Sequence, residues 1–100
     1  MYAVIFKARI RSLDEDYQET ANKLREIAMK EFGCREFVSV SEGEFEISIS
    51  YWDDMNMIRA WKESTEHLKA QTEGRNRWYH SIQIQVVEVV REYERNYASA

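Results

Sequence analysis

The chain has 100 residues, 44% hydrophobic and 32% charged, which is the composition of one globular domain rather than a disordered segment. Its net charge is −4, and its 14 lysines and arginines are interspersed with 18 acidic residues, so neither nucleic acid nor a membrane surface is an expected partner. The single cysteine excludes an internal disulfide, and the apolar runs are too short for a signal peptide or a membrane span, which favours the cytoplasm.

The first third of the chain predicts a strand followed by a helix. Residues 2–11 are rich in β-branched and aromatic side chains and predict the first strand. Ser12 to Glu15 fits a capping box, in which a hydroxyl and a carboxylate satisfy free amide groups at a helix start. Apolar residues at three- and four-residue spacing then predict a helix ending at Gly33; they are Tyr17, Ala21, Leu24, Ile27 and Ala28.

Two strands and a turn follow the first helix. Residues 34–41 and 44–51 predict a hairpin with its turn at Glu42-Gly43. The second strand alternates between an apolar face and a face carrying small hydroxyls and a carboxylate, with Phe45, Ile47, Ile49 and Tyr51 on the first and Glu46, Ser48, Ser50 and Trp52 on the second. The apolar face is expected to meet the helices, and Glu46 is expected near the rim of the sheet.

The second half predicts two short helices and a last strand. Asp53 or Asp54 begins one helix, Ser64 or Thr65 caps the next, and Gly74 ends it. Residues 80–92 predict a long strand, in which the inward set Ile82, Ile84 and Val86 shifts phase to Val87 and Val89. That shift indicates a bulge, and the strand's length suggests that its far end pairs with a partner subunit.

The order of elements is β-α-β-β-α-β, the ferredoxin-like arrangement of the α+β class, with an antiparallel sheet and helices on one face. The sequence contains no internal repeat, linker or low-complexity segment. We therefore expect a single domain over residues 1–95 and a frayed tail over residues 96–100.

Several segments resemble the antibiotic biosynthesis monooxygenase domain family of the dimeric α+β barrel superfamily. The resemblance runs from Tyr2 to about Tyr93. It is carried by the motifs Ser50-Tyr51-Trp52, Ile58-Arg59-Ala60-Trp61, Glu66-His67-Leu68-Lys69-Ala70-Gln71 and Gly74-Arg75-Asn76-Arg77-Trp78-Tyr79. It implies a homodimer whose two sheets form a barrel, with one cleft per subunit between sheet and helices. The family includes oxygenases that oxidise polycyclic aromatics without metal or flavin, haem-degrading enzymes and members of no known activity, and fold alone does not choose among these.

Trp61, His67 and Asn56 are the principal candidate site residues. The resemblance implies that Trp61 faces the cleft and holds a flat ligand, although a tryptophan on the inner face of a helix also suits a core role. His67 could act as a general base or orient a substrate hydroxyl, or lie partly exposed on its helix. Asn56 could donate a hydrogen bond to a carbonyl or superoxide, or simply cap its helix.

The segment around Arg75 and Trp78 mixes cations and aromatic rings. It could close over an anionic or flat ligand, or form an exposed turn whose aromatic rings pack against the dimer partner. No metal site is expected, because the chain has two histidines, one cysteine and no His-x-x-x-His or Cys-x-x-Cys spacing.

Three functions stay open from the sequence. The first is a small cofactor-independent monooxygenase acting on a planar aromatic substrate, with His67, Asn56 and Trp61 as base, donor and cleft wall. The second is haem binding and degradation; the resemblance then implies a histidine ten residues after the cleft tryptophan, where this chain has Gln71. The third is a non-enzymatic dimer that binds a small lipophilic molecule.

Overall fold

A computed structural model describes residues 1–98 and contains a four-stranded antiparallel sheet in the order β2-β3-β1-β4. The strands are β1 (Tyr2–Ile10), β2 (Glu36–Glu42), β3 (Phe45–Trp52) and β4 (Tyr79–Glu88). The helices are α1 (Glu15–Glu31), α2 (Met55–Lys62), α3 (Thr65–Glu73) and a π-helix (Gly74–Trp78). The predicted ferredoxin-like α+β fold is confirmed. Residues 99 and 100 of the predicted tail lie outside the described residues. None of the helices within residues 1–98 combines the length and apolar run needed to cross a bilayer.

The first helix begins two residues later than the capping-box prediction placed it. Its N-cap is Asp14, whose Oδ1 accepts a hydrogen bond from the amide of Tyr17 at 2.9 Å. Aspartate suits this position because its negative charge also interacts favourably with the positive end of the helix dipole. Ser12 instead donates its backbone amide to the carbonyl of Trp78 at 3.3 Å. At the other end, Gly33 has a φ of 77°, as its predicted position after the helix requires.

The helices cover the face of β3 that carries its polar residues, so the prediction that the apolar face meets them was wrong. Glu46 and Ser50 are buried beneath the helices, and Trp52 packs against Trp61 of α2 with ring centroids 5.3 Å apart. The apolar residues Phe45 and Ile47 are exposed on the opposite face. Alternation separates the two faces of a strand but does not say which one is covered.

The chain from α3 to β4 also departs from the prediction. Gly74 is the C-cap that ends α3, as predicted, but its φ is −58° rather than left-handed, and the chain continues directly into the π-helix up to Trp78. The irregularity of β4 lies at its start, where the pairing shifts between Arg9 and Ile10 of β1. From Ser81 onward the register is regular, so there is no phase shift near Val87.

The core lies between the helices and one half of the sheet. Its buried members come from β1, α1, the loop before β2, the end of β3 and α2: Val4, Ala28, Cys34, Trp52, Ile58 and Trp61. Cys34 is buried, its Sγ lies 3.3 Å from the carbonyl of Glu36, and desolvation raises the pKa of its thiol. The other half of this interface is not filled, and the candidate site occupies it.

Candidate functional site

A cavity of about 520 Å³ lies between the sheet and the helices. Its floor is made of small hydroxyl side chains, because Ser39, Ser48 and Ser50 occupy positions where larger residues would fill the space. These hydroxyls are satisfied within the floor: the Oγ atoms of Ser39 and Ser48 lie 2.8 Å apart, and Ser50 accepts from the indole of Trp52 at 2.9 Å. The serines of β3 therefore leave open space without leaving buried polar groups unpaired.

Trp61 and His67 form one wall of the cavity. Trp61 is 6% exposed, and its Nε1 donates to the carbonyl of Leu24 at 3.2 Å, which fixes the indole against α1. The ring of His67 packs edge-on against it, with centroids 4.4 Å apart and an interplanar angle of 81°. The break between α2 and α3 brings the two rings together. Ser64 caps α3 at this break by accepting a hydrogen bond from the amide of His67 at 3.4 Å.

The hydrogen bond with Gln71 determines which ring nitrogen of His67 carries the proton. The amide nitrogen of Gln71 lies 3.5 Å from the carbonyl of Lys62, which can only accept, and 2.9 Å from Nδ1 of His67. Nδ1 therefore accepts a hydrogen bond, and the neutral ring carries its proton on Nε2. Desolvation by burial, with a smaller contribution from the charge of Lys62, lowers the pKa of His67 to about 4. At neutral pH the ring is thus a neutral hydrogen-bond donor through Nε2.

The lowered pKa of His67 predicts a pH-dependent stability. Between the unfolded pKa of 6.5 and the folded value of about 4, the unfolded chain binds more protons, so stability is full above pH 6.5 and is lost as the pH falls. We expect a loss of about 1–3 kcal/mol across this window, measured by urea denaturation at pH 7 and pH 4.5. The substitution His67→Gln should flatten this part of the profile, whereas His80→Gln at the exposed histidine should not. An unchanged profile in His67→Gln would contradict the prediction.

A buried carboxylate with two phenols lies in another part of the cavity. Glu46 is 8% exposed; its Oε1 accepts from the hydroxyl of Tyr17 and its Oε2 from that of Tyr79, the latter at 3.4 Å. Desolvation and contact with the carboxylate raise the pKa of Tyr17, and burial raises that of Tyr79, so both phenols stay protonated and donate. The sequence prediction placed Glu46 near the rim and did not count it as a site residue. The sequence contained one indication that Glu46 belongs to the site: alternation places its carboxylate on the same face of β3 as two serines and Trp52.

The π-helix holds Trp78 and Arg75 at the cavity. Trp78 is 2% exposed, and its Nε1 donates to the N-cap carboxylate of Asp14 at 3.1 Å. Its ring stands edge-on to that of Tyr17 with centroids 5.2 Å apart. Gly74 allows this arrangement, because a Cβ there would lie 2.9 Å from the ring of Tyr79. Trp78 is thus a buried cavity wall rather than part of an exposed turn.

The structure brings four of the five predicted site residues together. Trp61, His67, Arg75 and Trp78 all line the cavity. Asn56 does not: it is exposed in the first turn of α2, and its backbone amide donates to the N-cap carboxylate of Asp54 at 2.7 Å. This position does not suit a donor that faces a ligand in the cavity.

Comparison with known proteins finds a sequence relative in Bacillus subtilis. The uncharacterized protein YqjZ is 38% identical over 92 residues, which cover 91% of this chain and 81% of that protein. No protein-family profile matches the chain. At this identity and coverage, the two proteins belong to one family.

Solved structures with the same fold include oxygenases. A putative antibiotic biosynthesis monooxygenase from Nitrosomonas europaea superposes with a TM-score of 0.76 at 15% identity, over 91% of this chain and all of that one. SnoaB, a cofactor-independent oxygenase from Streptomyces nogalater, gives a TM-score of 0.76 at 10% identity, over 91% and 94%. A conserved protein from Methanosarcina mazei gives 0.74 at 16% identity, over 86% and 89%. The fold resemblance to the antibiotic biosynthesis monooxygenases is therefore confirmed.

Proposed function

We propose that this chain, which belongs to the YqjZ family and has the fold of the antibiotic biosynthesis monooxygenases, is a small monooxygenase. It oxidises a planar aromatic substrate in the cavity between sheet and helices, with O2 as oxidant and no bound cofactor. The observation that carries the proposal is the cavity itself, where Trp61 and Trp78 supply flat aromatic walls and His67 packs against Trp61. The names of similar structures, putative monooxygenase and cofactor-independent oxygenase, support the reaction class.

The proposed reaction needs little chemistry from the protein. A hydroxylated aromatic ring loses its hydroxyl proton to water, and an electron-rich C–H carbon of the anion adds to O2 to form a peroxide anion, which takes a proton back from water. The C–H and O–O bonds at that carbon then break, water leaves and a carbonyl forms, so one oxygen atom of O2 enters the product and the other leaves as water. A dry cavity and a fixed donor near the developing oxyanion are what the site must provide.

His67 is better suited to donate a hydrogen bond to the substrate than to act as the general base that the sequence analysis suggested. Its Nδ1 is occupied by Gln71, and its low pKa makes it a weak proton acceptor. Its Nε2–H is neutral, fixed in direction by the Gln71 hydrogen bond, and partly desolvated, which strengthens a hydrogen bond to an anionic oxygen. Arg75 lines the same cavity and adds positive charge that favours an anionic intermediate.

Oxygen uptake with hydroxylated naphthalenes and anthracenes tests the proposal. We expect enzyme-dependent O2 consumption matched by a quinone absorbance. The substitution His67→Phe keeps a ring against Trp61 but removes the N–H, and should lower kcat about 10²–10³-fold with little change in KM. Full turnover in His67→Phe would remove the proposed donor, and the absence of any O2 uptake across the panel would contradict the oxygenase itself.

A non-enzymatic ligand-binding protein is the second candidate. The observation in its favour is that Asn56 lies outside the cavity and that the acceptor nitrogen of His67 is already used. This candidate predicts saturable binding of the same aromatics with no O2 consumption. Haem degradation receives no such support, because Gln71 at the position implied for a haem ligand is hydrogen-bonded to His67.

We further propose that the chain acts as a homodimer in the cytoplasm. On the face of the sheet away from the helices, β2 and β3 expose apolar side chains, with Val40, Phe45 and Ile47 exposed at 66%, 57% and 38%. Exposed apolar patches of this kind mark interaction surfaces. A second copy of the same sheet would cover it, as the resemblance to dimeric barrels implies.

A further inference from the structure

We propose that Glu46 determines which aromatic ligands the cavity accepts, by taking a hydrogen bond from a hydroxyl on the bound ring. The inference rests on the proposed function, since it requires that the cavity hold a planar hydroxylated aromatic, and it adds the residue that recognises the hydroxyl. Nothing in the chemistry of Trp61, His67 or Trp78 requires a hydroxyl at this position.

Glu46 has hydrogen-bonding capacity to spare. An ionised carboxylate offers about four lone-pair sites and no donor. The hydroxyls of Tyr17 and Tyr79 take one site on each oxygen. Glu46 lines the cavity, so the remaining sites are the ones that the proposed ligand hydroxyl would meet.

The carboxylate of Glu46 is held by the two phenols rather than by a salt bridge within the described residues. Within residues 1–98, none of the ion pairs includes Glu46. It is also the only acidic residue among the described residues that line the cavity. Burying a carboxylate is costly unless hydrogen bonds replace its lost water, so a ligand that donates one is favoured over an isosteric ligand that cannot.

The two phenols are held in place by other rings. Tyr17 stands edge-on to Trp78 at 5.2 Å, and Tyr79 stands edge-on to Phe6 at 5.6 Å. The carboxylate that they hold is therefore pre-positioned before the ligand arrives. Pre-positioned partners raise specificity because less ordering is needed on binding.

The ligand group that meets Glu46 is a neutral hydroxyl rather than an ammonium group. Four cationic side chains line the same cavity, Arg11, Arg25, Lys62 and Arg75. They repel a cationic ligand, whereas a neutral hydroxyl avoids this cost and can still donate to the carboxylate. If the hydroxyl ionises during turnover, the same cations favour the anion.

A matched pair of ligands tests the inference. Binding of 1-naphthol and of 1-methoxynaphthalene, which has the same ring but no donor, is measured by tryptophan fluorescence on the whole chain. We expect the wild-type protein to bind 1-naphthol about tenfold or more tightly. Glu46→Gln should reduce this preference to about threefold or less, because hydrogen bonds to neutral acceptors are weaker. Glu42→Gln, at an exposed carboxylate of the same hairpin outside the cavity lining, should leave it unchanged.

The outcomes separate this inference from the proposed function. Equal binding of both ligands by the wild-type protein overturns the role of Glu46 and leaves the aromatic cavity intact. Tighter binding of 1-naphthylmethylammonium than of 1-naphthol also overturns it, since the carboxylate would then select cations. Binding of no aromatic at all overturns the proposed function together with the inference. Equal binding of the two ligands by the wild-type protein overturns the inference even if Glu46→Gln fails to fold.

Discussion

Replacing Trp52 with alanine is expected to lower the free energy of unfolding by about 3–5 kcal/mol. Trp52 is the largest fully buried side chain, at 0% exposure, and it lies at the end of β3 under α2. Its ring packs against Trp61, and its Nε1 donates to Ser50 at 2.9 Å. Alanine removes the ring contacts, leaves a cavity in the core and leaves the Ser50 hydroxyl without this donor.

Urea denaturation followed by far-UV circular dichroism measures this loss. Trp52→Phe serves as the matched control, because it retains most of the buried ring and removes the indole donor; we expect a smaller loss of about 1–2 kcal/mol. The position next to it in sequence, Tyr51, lies on the opposite face of the strand. A loss below about 1 kcal/mol in Trp52→Ala would show that the core beneath α2 relaxes to fill the space.

Trp52→Ala is also expected to affect ligand binding at the candidate site. Trp61 lies between Trp52 and His67, with ring centroids 5.3 Å and 4.4 Å away. When Trp52 is truncated, Trp61 loses the ring behind it, and the cavity wall becomes less fixed. We therefore expect weaker binding of flat aromatics in Trp52→Ala in addition to the loss of stability, because a loosely held wall must be ordered on binding.

The order and type of the elements could be predicted from local patterns, since each depends on residues close in sequence. Three- and four-residue spacing identified α1, alternation identified β3, and Gly33 marked the end of α1. The predicted N-cap was wrong because Ser12 and Asp14 are both of residue types that cap helices well. Contacts with residues distant in sequence decide between the two. Asp14 also accepts from the indole of Trp78, 64 residues away.

The face of β3 that the helices cover could not be predicted from the strand alone. The usual rule that apolar residues meet the helices fails when a second apolar surface exists. Here the helices bring their own aromatic residues, Tyr17 and Trp61, to the polar face of β3, while the apolar face stays exposed. Both faces of β3 can therefore pack against other residues, and the alternation pattern of one strand does not say which face the helices cover.

The candidate site was only partly visible in the sequence. Trp61 and His67 were identified by resemblance, but their contact depends on the break at Ser64, whose geometry the spacing does not give. Glu46 was missed because its partners come from elsewhere, Tyr17 from 29 residues before it and Tyr79 from 33 residues after it. Such a cluster exists only after the sheet and α1 have been assembled.

A charge in the middle of the exposed sheet face is expected to break the proposed dimer. Ile47 pairs with Lys7 of β1 and Val40 of β2, so its side chain shares the outer face with Val40 and lies between two neighbouring strands. In Ile47→Glu a dimer would bury a carboxylate between Val40 and Lys7, and the attraction of Lys7 does not repay the cost of taking the new charge out of water. We expect the dimer dissociation constant to rise at least about a hundredfold.

Sedimentation equilibrium at micromolar concentration measures this change. With a chain mass of 12.0 kDa, the wild-type protein should sediment at twice that mass and Ile47→Glu at 12.0 kDa. Leu68→Glu is the matched control, because Leu68 is also an exposed apolar residue, at 50% exposure, but lies on α3 away from the sheet face. A monomeric wild-type protein would refute the dimer. A dimeric Ile47→Glu would place its interface elsewhere, and the apolar face of β3 would then need another partner.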